Sequence, residues 1–143
     1  MNTRRTVGAS GAAVAGLGMI LLTVTGCALV NDVAYGRAES SSANPTELAQ
    51  VRGGELSWLP ADATDIQRVA STRSDAESLV FASASGPTGC EDVERRSAPT
   101  MVVADAPDVY TFSRVQLCGA WAVVSADGVS YAWTPATEAD PEG

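Results

Sequence analysis

The strongest constraint on the fold is a two-residue turn near the C-terminal end. Asp127-Gly128 separates two short apolar runs, residues 120–124 and 129–133. Asp-Gly is favoured where both central residues of a turn need positive φ, the geometry that joins adjacent antiparallel strands. The sequence therefore predicts a β-hairpin at this point. The aromatic and β-branched side chains that we expect to pair across it are Trp121, Val123, Tyr131 and Trp133.

A helix start and several short segments complete the prediction of secondary structure. Asn44-Pro45-Thr46-Glu47 has an N-capping residue, proline at the first helical position and glutamate three residues after the cap, and Gly53-Gly54 ends the helix. Composition and periodicity predict strands at 63–71, 77–84, 100–104 and 109–118, and a helical turn at 90–96. We expect an α+β or mainly β domain: a small antiparallel sheet with one or two short helices and one disulfide.

The amino-terminal segment has the layout of an export signal. Two arginines within residues 1–5 precede a run without charge from 6 to 31. Inside it, Val24-Thr25-Gly26-Cys27 resembles the lipobox of bacterial lipoproteins: an aliphatic residue, a small or β-branched residue, glycine or alanine, and cysteine. The resemblance implies cleavage between Gly26 and Cys27, and lipid such as palmitate on Cys27. Two acyl chains would hold the chain firmly on a membrane.

An uncleaved membrane helix is the alternative interpretation of this run, because more than about 18 uncharged residues can span a bilayer. Glycines dilute the run, however, and its strongly apolar part, 17–24, is too short to span alone. We therefore expect four parts. They are a signal peptide at 1–26, a lipid-anchored tether with a possible short helix at 27–54, a small disulfide-stapled domain at 55–136, and an acidic disordered tail at 137–143. The small polar run 39–44 is typical of a tether.

The charge of the mature chain limits its partners. Removal of the signal takes away two of the nine arginines, which leaves seven against 17 acidic residues, a formal charge of −10. Like charge repels nucleic acid, so we expect no nucleic-acid partner. We expect the protein on the extracytoplasmic face of the cell membrane, attached through its lipid. Its partner there would be an envelope protein, a peptide or a cell-wall ligand.

Two cysteines remain if Cys27 is acylated. Cys90 and Cys118 would then form an even pair in an oxidising compartment, where a disulfide is expected. The alternative, a redox-active pair, normally needs Cys-x-x-Cys spacing, which this pair lacks. We predict a structural bond that closes about 29 residues.

The absence of two residue types disfavours an enzyme. The chain has no histidine and no lysine, so the usual general base near neutral pH and the Schiff-base amine are both missing. We expect a non-enzymatic binding or interaction module without a cofactor or metal. The alternative is an enzyme, or an enzyme accessory subunit, that acts on cell-wall material through carboxylates. Candidate pairs are Asp62 with Asp65 and Asp105 with Asp108, and the arginines that would support them are Arg95, Arg96 and Arg114.

Calcium is the metal that abundant carboxylates would favour. The acidic runs 62–65 and 91–94 are the places to consider, but neither has the spacing of an EF-hand loop. Solvated surface acids are the simpler interpretation of both runs.

Trp58 and Trp133 are the candidate residues for a binding surface. Together with Trp121 they could form a platform for a sugar or a peptide, although a domain this small also needs aromatic side chains for its core. The stretch 58–66, with Gly89-Cys90 and Cys118-Gly119, resembles a group of small actinobacterial lipoproteins and exported proteins of uncharacterised function. The lack of lysine is typical of the GC-rich genomes of that group. The resemblance implies an extracytoplasmic address and no particular activity.

Overall fold

A computed structural model describes residues 35–140, which form one antiparallel sheet with a helix and irregular segments around it. The signal peptide, Gly26 and Cys27 lie outside the described residues. The regular elements are β1 (Arg37–Ser42), α1 (Pro45–Arg52), β2 (Thr64–Ser71), β3 (Glu77–Ala82), β4 (Glu91–Glu94), β5 (Arg114–Cys118), β6 (Trp121–Ala126) and β7 (Val129–Thr134). Short 3₁₀ helices occur at Val109–Thr111 and Thr137–Ala139. Within residues 35–140, no helix is long and apolar enough to cross a bilayer.

The seven strands are ordered β1-β2-β3-β7-β6-β5-β4, and every neighbouring pair is antiparallel. The predicted mainly β class, with one short helix and one disulfide, is confirmed. The C-terminal hairpin lies at the centre of the sheet because β7 pairs with β3 as well as with β6.

Both faces of the sheet are buried, each against a different part of the chain. Helix α1 and residues 56–63 cover the first face, and the irregular segment 98–112 covers the second. The large side chains on the first face are Leu48, Trp58, Leu59, Ile66, Leu79, Phe81, Trp121 and Val123. Those on the second face are Val69, Val103, Val109, Val115, Val124, Tyr131 and Trp133. The central strands are therefore apolar at nearly every position instead of alternating.

The predicted hairpin turn is confirmed, but its predicted side-chain pairs are wrong. Asp127 and Gly128 both have positive φ, at 54° and 78°. The turn pairs Ala122 with Trp133 and Val124 with Tyr131. Trp121 and Val123 therefore lie on the face opposite to Tyr131 and Trp133, since successive side chains of a strand alternate between faces. The aromatic contacts form within each face, Trp121 with Trp58 at 5.4 Å and Tyr131 with Trp133 at 5.9 Å between ring centroids.

The helix begins and ends as predicted. The Asn44 side chain accepts a hydrogen bond from the Glu47 N–H at 3.0 Å, and the Glu47 carboxylate accepts one from the Ala43 N–H at 2.8 Å, which is a capping box. Gly53 ends the helix with φ 83° and donates to the Ala49 carbonyl. Leu48 is 2% exposed, so α1 is packed on the sheet.

Two other segments that we predicted outside the folded domain belong to it. Most of the expected tether 39–44 lies in strand β1, which pairs with β2 from Arg37–Ser71 to Ser42–Ile66. The expected disordered tail begins with a 3₁₀ helix at Thr137–Ala139, in which Glu138 is buried. Both predictions relied on polar composition, and both segments are held by hydrogen bonds with distant residues, which composition does not report.

Three local predictions also change. Residues 91–94 of the expected helical turn form strand β4 instead, since they pair with β5 next to the disulfide that joins the two segments. Residues 100–104 are not a strand, because they cross the second face as a cover, with Val103 buried and Val102 exposed. The segment 109–118 is divided between a 3₁₀ helix and β5. Strands β2 and β3 lie where the sequence predicts them.

Glu138 ties the C-terminal 3₁₀ helix to residues 96–97, directly before the segment that covers the second face. Its carboxylate accepts hydrogen bonds from the backbone N–H groups of Arg96 and Ser97 at 2.7 and 2.8 Å and from the Ser97 hydroxyl. Burial raises the pKa of Glu138, but these hydrogen bonds outweigh burial and the net pKa lies below its ordinary value. The folded state therefore favours the ionised carboxylate.

Glu138→Gln is expected to weaken the pH dependence of stability in acid. A carboxyl whose pKa is lower in the folded state contributes stability above its unfolded pKa, and this contribution is lost as pH falls through the folded pKa. The difference in unfolding free energy between wild type and E138Q should be larger near about pH 6 than near about pH 3. Urea titrations at the two pH values measure it. A difference that is constant with pH would contradict this role.

Candidate functional site

The tryptophans predicted as a binding surface are buried. Trp58 is 6% exposed and contacts Phe81 and Trp121, and Trp133 is 1% exposed and donates from Nε1 to the Ser97 hydroxyl at 2.9 Å. Neither side chain presents a surface to a ligand, so that prediction is wrong. The alternative use of these rings in the core is the one found.

Cys90 and Cys118 form the predicted disulfide, with their Cα atoms 4.4 Å apart. Cys118 ends β5 and is buried, and Cys90 lies directly before β4. The bond therefore fixes the outermost strand, β4, to the rest of the sheet, which is a structural role.

Two of the four carboxylates proposed as acid–base pairs, Asp62 and Asp108, have local structural roles, and the other two, Asp65 and Asp105, have positive φ. Asp62 accepts hydrogen bonds from the Ser83 hydroxyl at 2.7 Å and from the N–H groups of Ala84 and Ser85. The Ser83 hydrogen bond and these backbone bonds hold the pKa of Asp62 below its ordinary value. Asp108 caps the 3₁₀ helix by accepting from the Tyr110 N–H at 3.0 Å. Across residues 35–140, no group of three or more acidic or cysteine side chains is placed to hold a metal ion.

A large groove lies beside β1 on the described surface. It has a volume of about 650 Å³ and lies between strands β1 and β2 and the covering residues 103–105. Valines at 69, 80 and 103 contribute its apolar part. Its polar lining residues are Arg37, Glu39, Ser40, Ser41, Gln67, Arg68 and Asp105. We call this cavity the edge groove. Its volume is within the range of ligand sites, and its lining is about equally polar and apolar.

The polar groups of the edge groove are only partly satisfied. Arg37 pairs with Glu39 at 2.8 Å and donates from Nη2 to the Val102 carbonyl at 3.1 Å, whereas its Nε is buried without a hydrogen-bond partner in the described chain. The Ser40 hydroxyl is also buried and unpaired in the described chain, but Ser40 lies opposite Arg68 in the ladder, so its side chain is on the first face and not in the groove. Ser41 donates to Gln67 at 2.7 Å. An unpaired buried donor costs about 1–3 kcal/mol, so Arg37 Nε gains from a ligand that bonds to it.

A smaller hollow continues the edge groove at the start of β1. It has a volume of about 480 Å³ and lies against the same Arg37 and Glu39 side chains. Tyr35 and Val102, which line it with Met101, are 70% and 62% exposed. These exposed apolar side chains form an apolar patch beside the first residues of β1.

A second charged cluster lies on the first face of the sheet. Glu77 accepts from Arg68 Nε at 2.6 Å and from Arg52 Nε at 3.1 Å, and the Arg52 guanidinium lies 5.8 Å from the centre of the Trp121 ring. Arg52 comes from α1, and the other two charges come from β2 and β3. The cluster thus holds the helix on the sheet.

Sequence reasoning missed the residues of the edge groove. Arg37, Ser40 and Gln67 belong to two strands, and the Arg37–Val102 hydrogen bond spans 65 residues of chain. The available signal was the position of a six-residue polar run directly before a strong helix cap. Such a run has no apolar alternation, so periodicity does not identify it as a strand.

Comparison with known proteins finds no matching family model, no matching curated protein and no matching solved structure. The candidate site is therefore defined by its own geometry. It consists of the edge groove, the hollow that continues it, and the edge of β1 between them.

Proposed function

We propose that this protein is an extracytoplasmic lipoprotein that acts as a binding module and has no enzymatic activity. Three features support the location: the export signal, the lipobox ending at Cys27, and the Cys90–Cys118 disulfide, which suits an oxidising compartment. The absence of histidine and lysine supports the non-enzymatic role.

Lipid on Cys27 would hold the folded domain close to the membrane. Strand β1 begins at Arg37, ten residues after Cys27. An extended chain covers about 3.3–3.6 Å per residue, so the start of β1 would lie within roughly 35 Å of the lipid-bearing residue. A module in this position can contact proteins and cell-wall components that lie next to the membrane.

One observation carries the binding function. The edge groove combines apolar valine side chains with a buried donor, Arg37 Nε, that lacks a partner in the described chain. A ligand that accepts a hydrogen bond from Arg37 Nε and covers the valines gains hydrogen bonding and apolar burial together. An envelope protein, a peptide or a cell-wall component can offer such groups.

The second candidate function is an enzyme, or an accessory subunit, that acts on cell-wall material. Glu39 and Asp105 both line the edge groove, and two carboxylates are the minimum for glycoside hydrolysis. Glu39, however, is paired with Arg37, and Arg95, Arg96 and Arg114 are not among the lining residues. Release of soluble fragments from purified cell wall by wild type, lost in E39Q, would favour this function over ours.

Photocrosslinking at the edge groove in intact cells tests the binding function. We expect benzoylphenylalanine in place of Ser41 to capture a partner, because Ser41 lines the groove and is exposed. The matched control is Ser113, which is also exposed but precedes β5 near the other end of the sheet. A crosslinked product at Ser41 and none at Ser113 is the expected result. Equal capture at both positions, or capture at neither, would contradict the assignment of this groove.

A further inference from the structure

Strand β1 forms an open edge of the sheet. In the described chain its hydrogen-bonded strand neighbour is β2 alone. The Thr72 N–H donates to the Gly36 carbonyl at 2.9 Å, and the register continues from Arg37–Ser71 onward without a shift. Gly36 and Thr72 are therefore a hydrogen-bonded pair of the antiparallel ladder.

The register then decides which backbone groups of β1 face outward. Hydrogen-bonded and non-hydrogen-bonded pairs alternate along an antiparallel ladder. Counting from Gly36, Ala38 and Ser40 direct their N–H and C=O groups to β2. The N–H and C=O groups of Arg37, Glu39 and Ser41 are directed away from the sheet, where they can pair with another strand.

The two edges of the sheet differ in how they resist such pairing. Strand β4 has four residues, Glu91–Glu94, of which three are acidic, and short charged edges disfavour added strands. Strand β1 has six residues with no proline, lysine or bulge, and its two charged side chains neutralise each other in the Arg37–Glu39 pair. The open edge is therefore β1.

We propose that β1 binds an extended peptide segment of a partner protein as an additional antiparallel or parallel strand of the sheet. This inference rests on the binding function proposed above and specifies its ligand. Main-chain hydrogen bonds to Arg37, Glu39 and Ser41 hold the peptide, as in other cases of strand addition. The edge groove and the hollow beside it select its side chains.

Side-chain selection follows from the alternation of a strand. Every second side chain of the peptide lies on the groove side of the sheet, at a spacing of about 6.6–6.8 Å. The first of these meets Tyr35 and Val102 in the hollow, and later ones lie along the rim of the edge groove. The peptide therefore carries apolar residues at alternate positions.

Charge favours a neutral or basic peptide over a second copy of this chain. The mature chain carries a formal charge of −10, so two copies repel each other and basic residues are attracted. Asp105 adds a negative charge to the groove lining, where Glu39 is paired with Arg37.

Amide hydrogen exchange with a synthetic peptide tests the proposal directly. The probe is the capped peptide Arg-Val-Thr-Val-Thr-Val-Thr-Val-Arg, added to the full-length mature protein purified in detergent. At saturating peptide we expect the exchange of the Arg37, Glu39 and Ser41 amides to slow by about tenfold or more, because each becomes hydrogen-bonded. The amides of Ala38 and Ser40 should be protected with or without peptide. The same peptide with every backbone amide N-methylated should have no effect, since it has no N–H group to donate along either edge.

Proline variants distinguish the loss of outward backbone hydrogen bonds, which weakens peptide binding, from the loss of ladder hydrogen bonds, which destabilises the domain. Glu39→Pro removes an outward N–H, which an edge strand tolerates, and should weaken peptide binding by about tenfold or more. Glu39→Ala keeps that N–H, so peptide binding should fall much less than in E39P, and the difference between the two variants measures the effect of the outward N–H. Ser40→Pro removes an N–H that bonds to β2 and should destabilise the domain. Urea unfolding of E39P and E39A verifies that both remain folded.

Several results would overturn strand addition. One is peptide binding that E39P leaves unchanged. Others are slow exchange of the outward amides in the free protein, or protection that rises with protein concentration alone, which would assign the edge to this chain's own residues or to a second copy. If benzoylphenylalanine at position 41 still captures a partner in intact cells when E39P is present, strand addition is excluded and the binding function stands. If it captures no partner in the chain without E39P, both proposals are excluded.

Discussion

Glu77→Gln should lower the free energy of unfolding by about 3 kcal/mol, the lower part of the range for a broken buried ion pair. The Glu77 side chain is 9% exposed, and Arg68 and Arg52 are 15% and 25% exposed. Solvent therefore screens the two guanidinium groups only partly, and without the carboxylate they repel each other in the same space. The loss also releases α1 from β2 and β3, which the cluster joins.

The exposed ion pair on β1 supplies a matched control. Glu39 and Arg37 are 52% and 36% exposed, so E39Q should cost no more than about 1 kcal/mol. Replacing all three residues of the cluster by apolar ones (R52M, R68M and E77L together) should restore most of the stability lost in E77Q, because no charge is then left without a partner. Urea unfolding at neutral pH measures all of these variants. Equal losses in E77Q and E39Q would show that the cluster does not stabilise the fold.

Removal of the disulfide is the second change with a large expected effect. Cys90 and Cys118 are separated by 28 positions, and opening a loop of this length costs about 3.6 kcal/mol on the chain-entropy treatment. The double variant C90A/C118A should therefore lose roughly 3–4 kcal/mol of unfolding free energy. In a domain this small, that loss is a large fraction of the total stability.

Two controls define the disulfide experiment. Reduced wild-type protein should unfold at nearly the same urea concentration as C90A/C118A, because both lack the cross-link. Cys27→Ala should leave the midpoint of the folded domain unchanged, since residue 27 lies ten residues before β1. A midpoint for C90A/C118A equal to that of oxidised wild type would contradict a stabilising role for the bond.

The sequence predicted the elements whose signals are local. The Asn44 cap and the Asp127-Gly128 turn each depend on a few adjacent residues and on backbone preferences that hold in any fold. The disulfide followed from counting cysteines in an exported chain. Strand β1 was missed because five of its six residues are polar, and their conformation is set by pairing with β2 about 30 residues later.

The binding site was beyond prediction for a related reason. Sequence reasoning selected Trp58 and Trp133 because large aromatic rings often bind ligands, but burying these rings supplies the core of a small domain. The edge groove is formed by strands and a covering segment that are distant in sequence, and its unpaired donor, Arg37 Nε, becomes visible only in three dimensions.

The proposed lipid on Cys27 is the claim on which the other proposals depend, because it would set the compartment, the disulfide chemistry and the distance of β1 from the membrane. The most direct measurement is mass spectrometry of the amino-terminal fragment of protein purified from membranes, with Cys27→Ala as the control. We predict a chain that starts at Cys27 and carries a diacylglyceryl thioether, and a control that is either uncut or released from the membrane. An unmodified Cys27 that is still preceded by the apolar leader would contradict the account.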